Sequence, residues 1–284
     1  MELLTVLDAP YEVSSEQIGF YHENGFVHQN DVLPARLLEY YRRPITEMVE
    51  KLTAGEVPLE KRSTYGKAFL QVMNLWTKHD QIREFVFGKR LARIATDLMG
   101  CRGVRVYHDQ ALYKEPGGGV TPWHADQYYW PVSNDNTITA WAPLQDTPLE
   151  MGPLAFCPKS HRFQSGRDLE ISDESEMSLK EKLATSGLVE QPFPLGDVSF
   201  HSGWTFHRAG ANQTAVPRQV MTIIYIDMDM RLMEPRNKHQ VNDIDWWCPG
   251  VKTGEIIASP LNPVIYSSEH HKTSLAFRHE GAPV

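Results

Sequence analysis

The hydrophobic pattern of the chain changes at Gly100, and this change restricts the fold more than any other feature of the sequence. Before Gly100, apolar residues recur at the three- and four-residue spacing of amphipathic helices. After it, short β-prone runs alternate with Gly, Pro, Asn and Asp, as in a sandwich or barrel of short strands joined by turns. The sequence therefore predicts a mainly β fold with flanking helices at its N-terminal end.

Three helical stretches are predicted before Gly100, and they cover residues 14–25, 37–52 and 82–98. Ser14 and Ser15 can cap the first helix, and the Asn24-Gly25 pair suits its C-terminal end. Pro44 lies within the second pattern, where its missing N–H is expected to kink or divide the helix. The third pattern runs on without a break and ends before Gly100.

The predicted strands fall at 104–107, 111–113, 138–141, 154–156, 198–200 and 220–226. Between two of them, the polar segment 164–190 is expected to be an insertion with a short helix around Leu179–Leu183. No repeat or low-complexity linker divides the chain, so the helices are expected to support one β-domain. The predicted single domain, 1–284, consists of a helical buttress at 1–100, a β core at 101–230 and a C-terminal cover at 231–284.

The composition narrows the range of partners. With 284 residues, of which 41% are hydrophobic, the chain can bury a substantial core. Its 28 Lys and Arg against 36 Asp and Glu give a net charge of −8. This charge argues against nucleic acid or an anionic membrane as the main partner, because both require a basic surface. A small-molecule substrate is expected, bound by a monomer or homodimer.

The sequence also points to a reducing compartment. The N-terminal segment has early acidic residues and no basic region ahead of an apolar stretch, so it does not resemble a secretory signal. Apolar runs are far shorter than the roughly 20 residues of a membrane helix. The three cysteines are odd in number and widely spaced, which is unlike a disulfide framework. We therefore expect a cytoplasmic protein with free thiols.

The stretch TPWHADQ at 121–127 places a histidine and an aspartate two positions apart. In an extended strand such residues point to the same face, so His124 and Asp126 are expected to project side by side. Imidazole and carboxylate are two of the three ligands of an iron(II) facial triad, which also needs a second histidine. By itself the pair is weak evidence for a metal site, since a histidine near an aspartate more often makes an ordinary hydrogen bond or ion pair.

A second histidine is found downstream. His207 is followed eleven positions later by Arg218, and in a hairpin of strands this arginine can return close to the histidine. Its planar guanidinium suits bidentate binding of a dicarboxylate better than lysine. His201 is the alternative to His207 as the second histidine ligand. The adjacent pairs His108-Asp109 and His79-Asp80 are weaker rivals, because neighbours on a strand point to opposite faces.

Several stretches, taken in order, resemble the phytanoyl-CoA dioxygenase family, a branch of the iron(II)- and 2-oxoglutarate-dependent oxygenases. They are QIGFYHENGF at 17–26, HDQALYKEPGG at 108–118, WHADQ at 123–127, GPL at 152–154 with PKSH at 158–161, and the spacing from His207 to Arg218. The resemblance implies a double-stranded β-helix, a cupin-like jelly roll, buttressed by the N-terminal helices.

The resemblance also implies the roles of individual residues. It makes His124, Asp126 and His207 the ligands of Fe(II), with O2 and 2-oxoglutarate as the further reactants. It pairs Arg218 with the distal carboxylate of 2-oxoglutarate. Residues Gln110 and Trp141 fall where family members line the cosubstrate pocket.

Two positions depart from the family pattern. Ala209 stands where relatives often carry a hydroxyl, two residues after the distal histidine, and Lys159 replaces the glycine of the usual PGSH turn. Neither departure touches the predicted triad. Asp126 retains the carboxylate that related halogenases replace by a small residue.

The predicted reaction is hydroxylation of a metabolite or natural-product intermediate, with release of succinate and CO2. Desaturation, ring formation and epoxidation remain open as variants. Two alternatives are a non-catalytic metal-binding or ligand-sensing β-barrel and a cupin-like enzyme that does not use 2-oxoglutarate; Arg218 argues against both. Aromatic residues next to the ligands are the candidate substrate contacts, namely Tyr128, Tyr129, Trp130, Trp204 and Phe206. The Trp246-Trp247 pair is expected to be a cover over the site or a subunit contact.

Overall fold

A computed structural model describes residues 2–268 of the chain. Its helices are α1 (Glu2–Asp8), α2 (Ser15–Asn24), α3 (Ala35–Thr53), α4 (Thr64–Ala68), α5 (Asp80–Val86), α6 (Lys89–Met99), α7 (Asp173–Leu183) and α8 (Lys238–Trp247). Its strands are β1 (Phe26–Gln29), β2 (Leu70–Met73), β3 (Gly103–Lys114), β4 (Thr121–His124), β5 (Thr137–Pro143), β6 (Leu154–Phe156), β7 (Val189–Glu190), β8 (Val198–Ser202), β9 (His207–Ala209), β10 (Arg218–Asp227) and β11 (Val264–Ser267). The last part of the predicted C-terminal cover, 269–284, lies outside the described residues.

Within the described residues, the strands form two antiparallel sheets. The major sheet has the order β1-β8-β5-β10-β3-β11, with β2 also paired to β3, and the minor sheet has the order β4-β9-β6-β7. From β3 to β6, and again from β8 to β10, the chain passes from one sheet to the other at each successive strand. This winding is that of a jelly roll, and it confirms the predicted fold class.

The central strand β10 shows how the two sides of the major sheet differ. Met221, Ile223 and Tyr225 belong to the large apolar core that includes side chains of α3, α5 and α6. The alternate residues Thr222 and Ile224 line a cavity on the opposite face. Both faces of β10 are therefore buried, which explains why this strand is a continuous apolar run rather than an alternating pattern.

The first predicted helix is confirmed, and the second is continuous. The side chain of Ser14 forms a capping box with Gln17 at the start of α2, and Gly25 ends the helix in the left-handed conformation, with φ of 84°. Pro44 does not divide α3. Pro44 has no N–H to donate to the carbonyl of Tyr40. This carbonyl instead accepts a hydrogen bond of 3.4 Å from Gln81 Nε2.

The third predicted helix is wrong as a single element, because the structure divides it into α5 and α6 at Gly88. Gly88 has an extended ψ of 127°, and a Cβ there would lie 3.2 Å from the side chain of Leu7. The apolar spacing continues across this break, so periodicity could not reveal it. The same hundred residues also contain β1 and β2, whose four-residue lengths give too little pattern to predict.

The predicted insertion contains α7, which confirms the short helix around Leu179–Leu183. This helix packs against β4, the strand that ends at His124. Among the residues that the structure describes, no helix combines the length and the apolar character needed to cross a membrane.

Candidate metal and cosubstrate site

The two predicted histidine ligands face each other across neighbouring strands. His124 on β4 is the register partner of His207 on β9, and their ring centroids are 4.1 Å apart. The strand ends at His124, and Asp126 begins a short 3-10 turn. Nevertheless, Asp126 Oδ1 lies 3.5 Å from His124 Nε2 and 3.7 Å from His207 Nε2. One ligand atom from each residue lies within 4.8 Å of the others, so the three residues can hold a metal ion.

Local hydrogen bonds fix the tautomer of both histidines. His124 Nδ1–H donates to the carbonyl of Pro122 at 2.8 Å, and His207 Nδ1–H donates to that of Thr205 at 2.9 Å. A carbonyl oxygen only accepts, so each Nδ1 carries the proton. The lone pair of each Nε2 then faces the carboxylate of Asp126. Such an arrangement is typical of histidine ligands in metal sites.

The second oxygen of Asp126 is held away from the histidine pair. Oδ2 accepts a hydrogen bond of 3.0 Å from Thr139 Oγ1 and lies 3.3 Å from His201 Nε2. His201, the alternative to His207 in the sequence, thus contacts the other carboxylate oxygen, and its ring centroid lies 4.4 Å from that of His207. These contacts orient Asp126 so that Oδ1 alone is directed toward both ligand nitrogens.

The charge states of the triad suit metal binding. Burial opposes ionisation of Asp126, but the neighbouring imidazoles of His207, His124 and His201 hold its pKa well below the ordinary value. Burial also lowers the pKa of His207 well below its ordinary value. An ionised carboxylate and a neutral imidazole are the forms that bind a metal.

A buried cation lies in the same cavity. Arg218 is 1% exposed, and its Nη1 donates to the carbonyl of Gly152. Among the described residues, neither Arg218 Nε nor Trp141 Nε1 has a hydrogen-bond acceptor, and the guanidinium carbon lies 5.5 Å from the Trp141 ring centroid. Burial lowers the Arg218 pKa to about 9, which leaves the side chain positively charged near neutral pH. The donor set therefore fits a carboxylate group.

Gln110, the remaining predicted cosubstrate contact, belongs to a chain of polar side chains along the cavity wall. Tyr65 donates to Gln71 Oε1 at 2.7 Å, and Gln71 Nε2 donates to Gln110 Oε1 at 3.0 Å. Gln110 Nε2 lies 3.4 Å from His108 Nδ1. These contacts fix the orientation of the Gln110 amide.

The cavity has a volume of about 460 Å³ and contains all six predicted metal and cosubstrate residues. Its remaining wall is rich in aromatic side chains, which include Tyr65, Phe69, Tyr129, Trp130, Trp246 and Trp247. A partly apolar cavity of this size, with a few convergent polar groups, suits a small molecule. Helix α8 supplies Trp246 and Trp247, so the structure favours the predicted cover over the site.

Three of the five predicted substrate contacts do not line the cavity. Phe206 precedes His207 and points to the opposite side, where it packs in an apolar cluster with Leu179. Trp204 donates from Nε1 to Asp135 at 3.0 Å and lies under the guanidinium of Arg167. Tyr128 packs beside His239, whereas Tyr129 and Trp130 do line the cavity.

His108 and Asp243 are among the polar residues of the cavity that sequence reasoning missed. His108 points inward, while the adjacent Asp109 points outward and accepts backbone hydrogen bonds from Leu75 and Trp76. The sequence predicts that His108 and Asp109 point to opposite faces, but it does not connect His108 with the site. Asp243 belongs to no motif, and no signal in the sequence identifies it.

The jelly-roll fold and the grouping of two histidines with an aspartate are those expected of iron- and 2-oxoglutarate-dependent oxygenases, and comparison with known proteins identifies the family. The phytanoyl-CoA dioxygenase (PhyH) profile matches residues 21–220. The chain therefore belongs to the phytanoyl-CoA dioxygenase family.

Individual relatives point the same way. A probable alpha-ketoglutarate-dependent hypophosphite dioxygenase of Stutzerimonas stutzeri is 24% identical over 176 residues, which cover 60% of this chain and 61% of that protein. The carbocyclase SnoK of nogalamycin biosynthesis is 26% identical over 91% of this chain and 100% of its own, with a TM-score of 0.74. The epimerase SnoN of the same biosynthesis is 25% identical over 88% and 98%, with a TM-score of 0.71. SnoN has been solved with Fe3+ and alpha-ketoglutarate.

We predict that Thr139→Val weakens iron binding, because it removes the hydrogen bond that orients Asp126. Loss of such an outer contact costs roughly 10- to 100-fold in metal affinity. The measurement is an anaerobic Fe(II) titration of the purified protein. Thr147→Val is the control, since Thr147 is equally buried but does not line the cavity. Equal iron affinity in the two variants would show that Thr139 does not support the ligand.

Proposed function

We propose that His124, Asp126 and His207 bind Fe(II) and that Arg218 binds the distal carboxylate of 2-oxoglutarate. The observation that carries the proposal is the orientation of the triad, in which one oxygen of Asp126 and two tautomer-fixed nitrogens converge. Three protein ligands on one side of a metal leave its other positions open, as in the facial triad of iron oxygenases.

Bound iron and 2-oxoglutarate supply the oxidising chemistry, in which O2 yields succinate, CO2 and one oxygen atom for the substrate. The protein contributes binding and orientation. Arg218 and Trp141 present their free N–H donors to the carboxylate, and burial of the cavity strengthens that contact by excluding water. Aromatic side chains of α8 and the turn after β4 enclose the substrate.

We infer hydroxylation as the outcome on the substrate. Asp126 keeps a carboxylate at the metal site, so the protein lacks the change that creates a halide position. The triad does not discriminate among the remaining outcomes, as the names of the related carbocyclase and epimerase indicate. Placement of the substrate in the cavity decides which of its atoms reacts.

The charges of the cavity favour an uncharged or cationic substrate that contains a ring. Among the lining residues that the structure describes, Arg218 is the one Lys or Arg, and in this proposal it is occupied by the keto acid. The wall also carries the carboxyl groups of Glu170 and Asp243. Glu170 Oε2 lies 2.5 Å from His239 Nε2. Burial raises the pKa of Asp243 to about 8. A phosphate or CoA thioester would find no free cation here.

Replacement of Arg218 tests the use of 2-oxoglutarate. Truncation of a buried, charge-assisted partner typically costs roughly 2–5 kcal/mol, or about 30- to several-thousand-fold in affinity. We therefore expect Arg218→Ala to raise the Michaelis constant for 2-oxoglutarate strongly without loss of iron. Lysine keeps the charge but loses the planar fork, so Arg218→Lys should recover part of the affinity.

The assay is succinate release over a titration of 2-oxoglutarate, with iron content measured in each preparation. Before a substrate is known, uncoupled turnover of the keto acid gives the same readout. An unchanged dependence on 2-oxoglutarate in Arg218→Ala would exclude this arginine as the anchor. It would also favour a metal-binding or cupin-like protein that does not use the keto acid.

The proposed substrate class is tested with matched ring compounds that differ in charge. We expect a neutral alcohol and a primary amine on a naphthalene ring to stimulate succinate release more than the corresponding carboxylate or phosphate. The physical reason is that an anion would be desolvated beside Glu170 and Asp243 without a compensating cation. Stronger stimulation by the anionic compounds would contradict the proposed class.

A further inference from the structure

Helix α8 brings a buried carboxyl group to the wall of the cavity. Asp243 is 8% exposed and lines the cavity. Its Oδ2 accepts a hydrogen bond from the Tyr107 hydroxyl, and the side chain of Trp247 is a second donor. Among the residues that the structure describes, no cation forms an ion pair with this carboxyl. A carboxylate accepts about four hydrogen bonds, so two donors leave part of its capacity unused.

The titratable groups around Asp243 do not supply a counter-ion. Burial lowers the pKa of His108 to about 3, so its imidazole is neutral near pH 7. Burial raises the pKa of Tyr107 well above its ordinary value and that of Cys248 to about 12, so both groups keep their protons. Burial also raises the pKa of Asp243 itself to about 8. A cation bound in the cavity would lower that pKa and favour the ionised carboxylate.

Aromatic rings occupy the same part of the cavity. The ring centroid of His108 lies 5.4 Å from that of Trp247 and 6.3 Å from that of Trp130. All three rings line the cavity together with Asp243. Gln240 Nε2 donates to the carbonyl of Trp130 at 3.4 Å, which connects α8 to the turn after β4. The carboxyl therefore lies among indole rings, and indole binds cations more strongly than the other aromatic side chains.

We propose that Asp243, Trp130 and Trp247 form a subsite for an alkylammonium group of the substrate. The carboxylate supplies the opposite charge, and the indole rings contact the carbon atoms around the nitrogen, as in aromatic cages that bind quaternary ammonium ligands. Tyr107 is a positioning residue that holds the carboxylate. This inference rests on the proposed function, since it assigns this part of the cavity to the substrate. It narrows the proposed substrate class from uncharged or cationic molecules to cationic ones.

Glu170 lines the same cavity but is less suited to this role. Its Oε2 lies 2.5 Å from His239 Nε2 and 3.7 Å from Lys238 Nζ, and its side chain is 46% exposed. An exposed carboxylate gains little from an ion pair, because water screens the charges. Asp243 is buried and has no cationic partner among the described residues, so a bound cation would interact with it more strongly.

The test compares two ring compounds that differ in one atom and its charge. They are (4-hydroxymethylphenyl)trimethylammonium and 4-tert-butylbenzyl alcohol, in which carbon replaces the positively charged nitrogen. Isothermal titration calorimetry gives a dissociation constant for each with the protein loaded anaerobically with Fe(II) and 2-oxoglutarate. The same titrations on the metal-free protein measure the subsite independently of the keto acid. Neither experiment requires turnover.

We expect the wild type to bind the ammonium compound at least about tenfold more tightly than its neutral isostere. Asp243→Asn keeps the size of the side chain but removes the charge, so it should weaken ammonium binding on the order of 10- to 100-fold. Its affinity for the isostere should change little. Trp247→Leu should weaken ammonium binding roughly 3- to 30-fold more than isostere binding. Asp245→Asn is the matched control, because Asp245 is exposed on the same helix and does not line the cavity.

Equal affinities of the wild type for the two compounds, or no binding of either, would overturn the proposal. An equal loss of both affinities in Asp243→Asn would assign Asp243 a purely structural role. If that variant fails to fold in thermal unfolding measurements, the wild-type preference and Trp247→Leu decide. Selective ammonium binding by a protein that gives no visible absorption with Fe(II) and 2-oxoglutarate would support the subsite and reject the proposed function.

Discussion

The pairing of β4 with β9 is the contact on which the rest of the site depends. It brings His124 and His207 face to face, although the two residues are far apart in the chain. Each ring is then oriented by a carbonyl of its own strand or of the preceding turn, so the ligand set is formed by backbone geometry. Asp126 needs support from the other sheet, because the strand has ended before it. Thr139 of β5 and His201 of β8 supply that support.

Charge divides the cavity into two parts. Arg218 supplies a positive charge on one wall, and the lining elsewhere includes aromatic side chains and the carboxyl groups of Glu170 and Asp243. In the proposed function, Arg218 attracts the distal carboxylate of 2-oxoglutarate, which leaves the aromatic part of the cavity for the substrate. The net charge of −8 conceals this local positive charge.

The sequence predicted the features that follow from short-range patterns. The HxD motif, the spacing from His207 to Arg218 and the alternation of strands and turns led to the fold and to residues that the structure brings together. Periodicity failed at Gly88, because the apolar spacing continues across the break, whereas Leu7, whose side chain lies close to Gly88, is distant in the chain. Trp204 and Phe206 show the same limit, since proximity to His207 in sequence does not decide which face a side chain occupies. Asp243 reaches the cavity through the position of α8, which no local pattern encodes.

The central claim is that His207, with His124 and Asp126, holds the iron, while His201 only orients the carboxylate. The most direct measurement is the iron stoichiometry of wild type, His207→Ala and His201→Ala after anaerobic loading, together with the visible absorption produced by 2-oxoglutarate. The account predicts that His207→Ala loses both the iron and the absorption, whereas His201→Ala retains them with weaker iron binding. Iron retained by His207→Ala and lost from His201→Ala would contradict it.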